Sequence, residues 1–152
     1  MVTFFSGLIF SSMVVFMTPN PLFIEPESSD TYYFDEVSMD VDQEVKKLGG
    51  TKMVADRMIN QFQVDGEFIN TLRDKKITYG EMITVLAFAE QMPGGINEDN
   101  VDEIIHLRRG KWGDAGWEKV AGFLGIDIKP VLRRVKGFGM SLRAPQGDPN
   151  FI

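Results

Sequence analysis

The sequence predicts an all-α protein: an N-terminal apolar helix, a linker, and a small orthogonal helical bundle with two helix-turn-helix-like units. From Asp40 onward, apolar residues recur three and four positions apart, as they do on one face of a helix. Residues that favour helix N-caps precede several of these segments. No stretch alternates convincingly between apolar and polar residues, as a half-buried strand would. A chain of 152 residues has the length of one domain.

The first element is an uncharged apolar run from Phe4 to Met17, and Lys46 is the first basic residue. Counted from Met1, the run reaches the lower limit of about 17–25 residues for a spanning helix. It also satisfies the apolar core of a secretory signal, about 7–15 residues, but it lacks a basic start and a small-x-small cleavage site. We therefore expect residues 1–17 to form a signal peptide or a retained membrane anchor. The alternatives are a buried helix of the globular domain or a wrongly chosen start codon.

The charges along the chain are uneven. Residues 25–44 contain eight acids and no base, whereas residues 106–143 contain nine Lys and Arg residues and three acids. Neither end of the apolar run has basic residues nearby, so the positive-inside rule does little to set its orientation. Because the acidic stretch that follows contains nothing that would retain it in the cytoplasm, we expect the body on the extracytoplasmic, bacterial periplasmic side. The asymmetry suggests two faces or two partners. A self-complementary monomer or a solvated surface would explain it equally well.

Residues 18–39 are predicted to be a linker, because their prolines and acids disfavour a helix. The aromatic cluster Tyr32, Tyr33 and Phe34 is unusual for a free linker. These rings would lie at a membrane interface, pack on the domain or dock onto a partner, and packing on the domain is the commonest outcome.

Residues 40–138 are predicted to form the helical domain. The first two helices are separated by Gly49-Gly50, and the next three follow the N-cap residues Asp65, Thr78 and Asn97. The segment that begins at Thr78 has the pattern of a capping box.

Two more helices are expected after these, and then a tail. The first covers residues 117–124 and stops at Gly125, and the second begins at Asp127 and presents an apolar face that ends at Phe138. Residues 139–152 contain two prolines and are predicted to be an extended tail.

The chain contains a weak internal repeat. The segments Ile69-Asn-Thr-Leu-Arg73 and Tyr79-Gly-Glu-Met-Ile83 resemble Ile104-Ile-His-Leu-Arg108 and Trp117-Glu-Lys-Val-Ala121. Each unit is predicted to be a helix, a turn and a second helix opened by an aromatic residue, and such units bury their faces against one another. Trp117 takes the position of Tyr79, which favours a place in the core.

The second unit continues as Gly116-Trp-Glu-Lys-Val-Ala-Gly-Phe-Leu-Gly-Ile126 and Lys129-Pro-Val-Leu-Arg-Arg134. Over residues 65–136 the chain resembles exported bacterial proteins of unknown function with helix-turn-helix-like repeats. The resemblance implies a small all-helical fold and no established activity. The chain departs from this pattern at residues 110–116, which make a longer turn than usual.

The sequence contains no catalytic constellation, so we expect no enzyme activity, cofactor or metal. The chain has no cysteine and one histidine, His106, which excludes thiol nucleophiles and zinc–thiolate sites. Asp40, Asp42 and Glu44 alternate as at the start of a calcium loop, but Val45 occupies the position that needs glycine. Neither a dinucleotide motif nor a phosphate loop is present.

The predicted function is that of a non-catalytic helical interaction module at the extracytoplasmic membrane face, as an accessory subunit of a membrane protein complex. Protein partners would be contacted by the aromatic residues and basic helix at Trp112, Lys129, Arg133, Arg134, Lys136, Tyr32 and Tyr33.

The alternative is a helix-turn-helix nucleic-acid-binding protein whose basic helix contacts phosphates. The net charge of −6 and the apolar N-terminus weigh against it. The same basic side chains could instead bind anionic lipid head groups or an acidic protein, or they could simply form a solvated face.

Overall fold

The computed structural model describes residues 29–48, 51–110 and 116–144, which form seven α-helices and no strand. The all-α class is therefore confirmed. No helix among these residues combines the length and the apolar character that crossing a bilayer requires. The predicted N-terminal helix lies outside the described residues. The helices are α1 (Ser29–Leu48), α2 (Thr51–Phe62), α3 (Gly66–Asp74), α4 (Tyr79–Ala89), α5 (Glu98–Arg109), α6 (Trp117–Leu124) and α7 (Ile128–Arg143).

The helix ends follow the capping residues in the sequence. Asp65, Thr78, Asn97 and Asp127 each accept a hydrogen bond from a backbone N–H two or three residues later, and the capping box at Thr78 is present. Gly125 ends α6 with φ of 66°, in the left-handed region that glycine adopts without steric cost. These predicted caps are confirmed. The sequence is sufficient to predict them because a hydrogen bond from a side chain to the nearby backbone depends little on the rest of the fold.

Helix α4 forms the centre of the bundle. Every residue from Met82 to Ala89 is buried, and a helix that is apolar all round needs neighbours on every side. Those neighbours are α1, α5 and α7. Helix α6 packs on α1 and α5, and α2 packs on α3.

Helices α1 and α4 cross at very close range. A Cβ atom on Gly80 would lie 2.3 Å from the carbonyl oxygen of Ser38, so only glycine permits this approach. The backbone N–H of Gly80 donates to Asp42 Oδ1 at 2.9 Å. Beside the crossing, the buried hydroxyls of Ser38 and Thr84 lie 3.2 Å apart, and Thr84 also donates to the Gly80 carbonyl. The buried polar groups at this crossing are therefore paired.

The linker predicted for residues 18–39 is wrong for its last eleven residues, 29–39, which form the first half of α1. The three prolines of the predicted linker all lie before residue 29. The core-facing positions Phe34, Ser38 and Val41 are spaced as on one helix face. Phe34 is fully buried and stacks on Phe88, which stacks in turn on the buried Trp117. The predicted core position of Trp117 is confirmed, and of the three alternatives for the aromatic cluster Phe34 takes packing on the domain.

The predicted tail is also helical at its start, because α7 continues to Arg143. Leu142 is buried and extends the apolar stripe of Val135 and Phe138 by one more turn. That continuation stabilises residues 139–143 as helix. Residues 145–152 lie outside the described residues.

Helices α1 and α7 lie side by side and run in the same direction. Asp40 pairs with Arg143 at 3.3 Å, while Phe34 and Arg134 both contact the C-terminal end of α4. The start of α1, the end of α4 and the first half of α7 therefore share one end of the bundle, which we call the Ser29 end.

Candidate functional site

Of the predicted contact residues, only the four on α7 have described side chains. Trp112 lies outside the described residues, and so do the side chains of Tyr32 and Tyr33, whose backbone belongs to α1. The structure places these four residues, Lys129, Arg133, Arg134 and Lys136, in three different environments.

Arg134 is held by contacts within the domain. Its guanidinium makes a two-point contact with Glu90, with Nε–Oε2 at 3.0 Å and Nη2–Oε1 at 3.2 Å. It also donates to the carbonyl of Gln61 and lies 4.7 Å from the ring centroid of Phe62. Bidentate geometry and stacking on an aromatic face are the strongest ways to hold an arginine. Arg134 thus joins α7 to α4 and α2.

Lys129 and Arg133 lie one turn apart on the outer face of α7, and both are exposed. Neither side chain pairs with another described residue. Phe123, five residues before α7 begins, is 66% exposed. Lys129 and Arg133 belong to the first half of α7, which lies at the Ser29 end of the bundle.

Lys136 lines a groove between α1 and α7, which we call the α1–α7 groove. The groove has a volume of about 300 Å³. The α1 wall is acidic and the α7 wall basic, with Val37, Val41 and Gly139 between them. The remaining lining residues are Glu36, Asp40, Glu44, Lys136, Met140 and Arg143.

Ion pairs cross one end of the groove. Arg143 contacts Asp40 at 3.3 Å and Glu44 at 3.5 Å. A hydrogen bond from Lys47 lowers the pKa of Glu44 below its ordinary value of 4.5, and the charge of Arg143 adds to this effect. Exposed pairs of this kind contribute little to stability, so an approaching partner can exchange them at low cost.

Two methionines stand beside the groove and are largely exposed. Met140 lines the groove itself and is 61% exposed. Met39, 62% exposed, lines a second depression that shares Glu36 and Asp40 with the groove. This surface was not predicted from the sequence, because Met39 falls in the expected linker and Met140 in the expected tail. The spacing of Glu36, Asp40 and Glu44, one helical turn apart, was the available signal.

The chemistry of these surfaces suits binding. In the described part of the chain, no three His, Asp or Glu side chains are grouped to hold a metal ion. The groove offers carboxylates, cations and apolar side chains, and His106 is exposed on α5. A comparison of the chain with protein-family models, curated proteins and solved structures found no match.

Proposed function

We propose that the chain is a non-catalytic helical interaction module, held at the extracytoplasmic face of a membrane as an accessory subunit of a membrane protein complex. One observation carries this proposal: Met39 and Met140, two of the three large apolar side chains that are exposed in the described ranges, flank the α1–α7 groove. Exposed apolar clusters mark interaction sites. Methionine adapts its shape to a partner because its side chain is flexible and polarizable.

The form of the groove suits an amphipathic helix. Such a helix would place an apolar stripe along Val37, Val41 and Met140, as helix-in-groove complexes do. Basic residues on one flank of the partner would meet Glu36, and acidic residues on the other would meet Lys136. Both signs of charge along one groove would fix the direction in which the helix binds.

The proposal includes a finer architecture: an orthogonal bundle in which α3–α4 and α5–α6 are the two helix-turn-helix-like units. Equivalent positions support it, since Ile69 and Ile104 are both buried, as are Met82 and Val120. The membrane attachment itself is proposed for residues 1–17 and rests on their length and lack of charge.

The test is site-specific photo-crosslinking in cells that produce the full chain naturally. A crosslinking residue at Gln43, beside Met39, should capture one partner in the membrane fraction. Met140→Glu should abolish that crosslink, because it places a charge in the apolar part of the groove. The matched control, Asn70→Glu on the exposed face of α3, should leave the crosslink intact. A chain that is soluble and monomeric in cells, with none in the envelope, would contradict the proposal.

A helix-turn-helix nucleic-acid-binding protein is the second candidate. It is favoured by the exposed positions of Lys129 and Arg133 in the first half of α7, where a recognition helix makes its contacts. It predicts a salt-dependent mobility shift of duplex DNA that Lys129→Glu with Arg133→Glu abolishes. The absence of a shift at low salt would exclude it.

A further inference from the structure

We propose that the α1–α7 groove binds a second copy of this chain, in a dimer whose two-fold axis runs parallel to α1 and α7. This inference rests on the proposed function and deepens it, because it names the partner of the groove. In this arrangement α1 of each copy lies against α7 of the other, so the same surface serves both copies.

The charges of the groove decide between the possible two-fold arrangements. The α1 side carries Glu36 and Asp40, and the α7 side carries Arg133 and Lys136. An axis running across the helices would place α1 on α1 and α7 on α7, so that like charges would meet. An axis parallel to the helices places the acidic side of each copy on the basic side of the other. Opposed like charges disfavour the first arrangement, and complementary charges favour the second.

The packing of α1 on α7 also determines which residues would meet. Gly139 lies beside Val41, since a Cβ atom on this glycine would be 3.5 Å from Val41 Cγ2. Rotation about an axis parallel to the helices leaves the height of each residue along that axis unchanged. Glu36 lies five residues before Val41, and Arg133 lies six residues before Gly139. Glu36 of one copy is therefore within about 1.5 Å in height of Arg133 of the other.

Glu36 and Arg133 are both available for this contact. Each is exposed, and neither forms an ion pair with another described residue. The neighbouring charges on α1 pair within their own copy: Asp35 with Arg108 at 4.0 Å, Asp40 with Arg143 at 3.3 Å, and Lys47 with Glu44 at 3.0 Å. The contact of Glu36 with Arg133 would occur twice in each dimer because of the symmetry.

The exposed side chain of Met39 has a matching space on the second copy. Met39 lies two residues before Val41, and Gly137 lies two residues before Gly139, so the two are at the same height. A Cβ atom on Gly137 would meet no neighbour within 4 Å, so the surface above it is open. The flexible side chain of Met39, which is 62% exposed, would fill this space.

The interface has the size expected of a weak dimer. Helix α7 has 16 residues. It is therefore about 24 Å long, and two helices side by side are about 20 Å wide. Each copy would cover roughly 500 Å², and the two together about 1,000 Å², which is the lower limit for a specific interface. We expect a reversible dimer that dissociates on dilution.

The first test exchanges the two charges, with the full chain in mild detergent and sedimentation equilibrium as the measurement. Glu36→Lys or Arg133→Glu alone makes both contacts repulsive and should raise the dissociation constant about tenfold. A 1:1 mixture of the two variants should form dimers as tight as the original, because each contact between the unlike chains again joins opposite charges. A heterologous partner of the groove would produce no such recovery.

The matched controls carry the same charge changes on other helices. Glu103→Lys on α5 and Arg73→Glu on α3 are exposed and should dimerise as the original chain does. Circular dichroism should show the same helix content in all variants. An original chain that stays monomeric at every concentration would overturn the dimer, and so would a mixture that does not recover.

The second test checks the register and the direction of the axis. The chain has no cysteine, so Met39→Cys and Gly137→Cys each introduce a single thiol. With a short crosslinker that joins two thiols, a mixture of the two variants should form crosslinked dimers faster than either variant alone. Faster crosslinking of the Met39→Cys chain to itself would place α1 on α1 and overturn the proposed axis.

Photo-crosslinking from Gln43 in cells separates the two possible failures. Gln43 lies two residues after Val41, and Met140 lies one residue after Gly139, so these side chains would meet between copies. We expect the adduct to contain only this chain, joined at α7 near Met140. An adduct with a different protein in the membrane fraction would overturn the dimer and leave the proposed function standing. A dimer found only outside the envelope would overturn the membrane assignment and leave the dimer standing, and the absence of any adduct would overturn both.

Discussion

The inner contacts of the bundle and the outer face of α7 use similar residues for different purposes. Arg133 and Arg134 are adjacent in sequence but point about 100° apart around the helix. Arg134 is locked between Glu90 and the ring of Phe62, whereas Arg133 is exposed and pairs with no other described residue. A run of basic residues on a helix therefore overstates the charge that is free to bind a partner, because the fold has already used part of it.

The largest expected effect lies at the inner crossing of α1 and α4. Gly80→Ala places a Cβ atom 2.3 Å from the carbonyl oxygen of Ser38, which is backbone and cannot rotate away. We expect the free energy of unfolding to fall by about 3 kcal/mol, near the upper end for overpacked sites. Urea denaturation monitored by circular dichroism measures this change.

The control is the same substitution on the outer surface. Gly122→Ala in α6 meets nothing within 4 Å, and alanine is the better helix former by about 1 kcal/mol. This variant should be as stable as the original chain or slightly more so. If the two alanine variants unfold at the same urea concentration, the close crossing of α1 and α4 is wrong.

The next effect compares the two neighbouring arginines directly. Arg134→Ala removes the bidentate contact with Glu90 and the contact with Phe62, and should cost about 1–2 kcal/mol, since the pair is only half-buried. Arg133→Ala should change the free energy of unfolding by less than about 0.5 kcal/mol, as surface substitutions usually do. Urea denaturation of both variants measures the difference. Equal losses would remove the distinction between the inner and outer faces of α7.

The sequence predicted the local features of the fold well. The N-caps Asp65, Thr78 and Asn97 and the end of a helix at Gly125 were identified because each depends on residues within one turn. The apolar periodicity also predicted the all-α class. These features require no knowledge of which helices pack together.

The features that depend on tertiary contacts were missed. Residues 29–39 are rich in acids and follow three prolines, so their helix is stabilised chiefly by packing Phe34 and Val41 against the core. The pairing of Arg134 with Glu90 joins residues 44 positions apart, and no local pattern indicates it. The α1–α7 groove was missed because part of each wall, Glu36 and Val37 on α1 and Gly139, Met140 and Arg143 on α7, lies in a segment that was not expected to be helical.

The smallest expected effect concerns Glu44, whose exposed pairs at the groove are weaker than the Arg134 contact. The hydrogen bond from Lys47 and the charge of Arg143 lower the pKa of Glu44, so the folded state favours the ionised carboxylate. The resulting stability is fully present above the ordinary pKa of 4.5 and is lost as the pH falls through the lowered value. Glu44→Gln should therefore be slightly less stable than the original chain at pH 7, and this difference should disappear in acid. Thermal unfolding across that pH range measures the effect, with Glu103→Gln on the exposed face of α5 as the control. If both variants show the same pH dependence, the ion pairs of Glu44 at the groove do not form in solution. Of the two sets of ion pairs compared, only the pair of Arg134 with Glu90 would then stabilise the bundle.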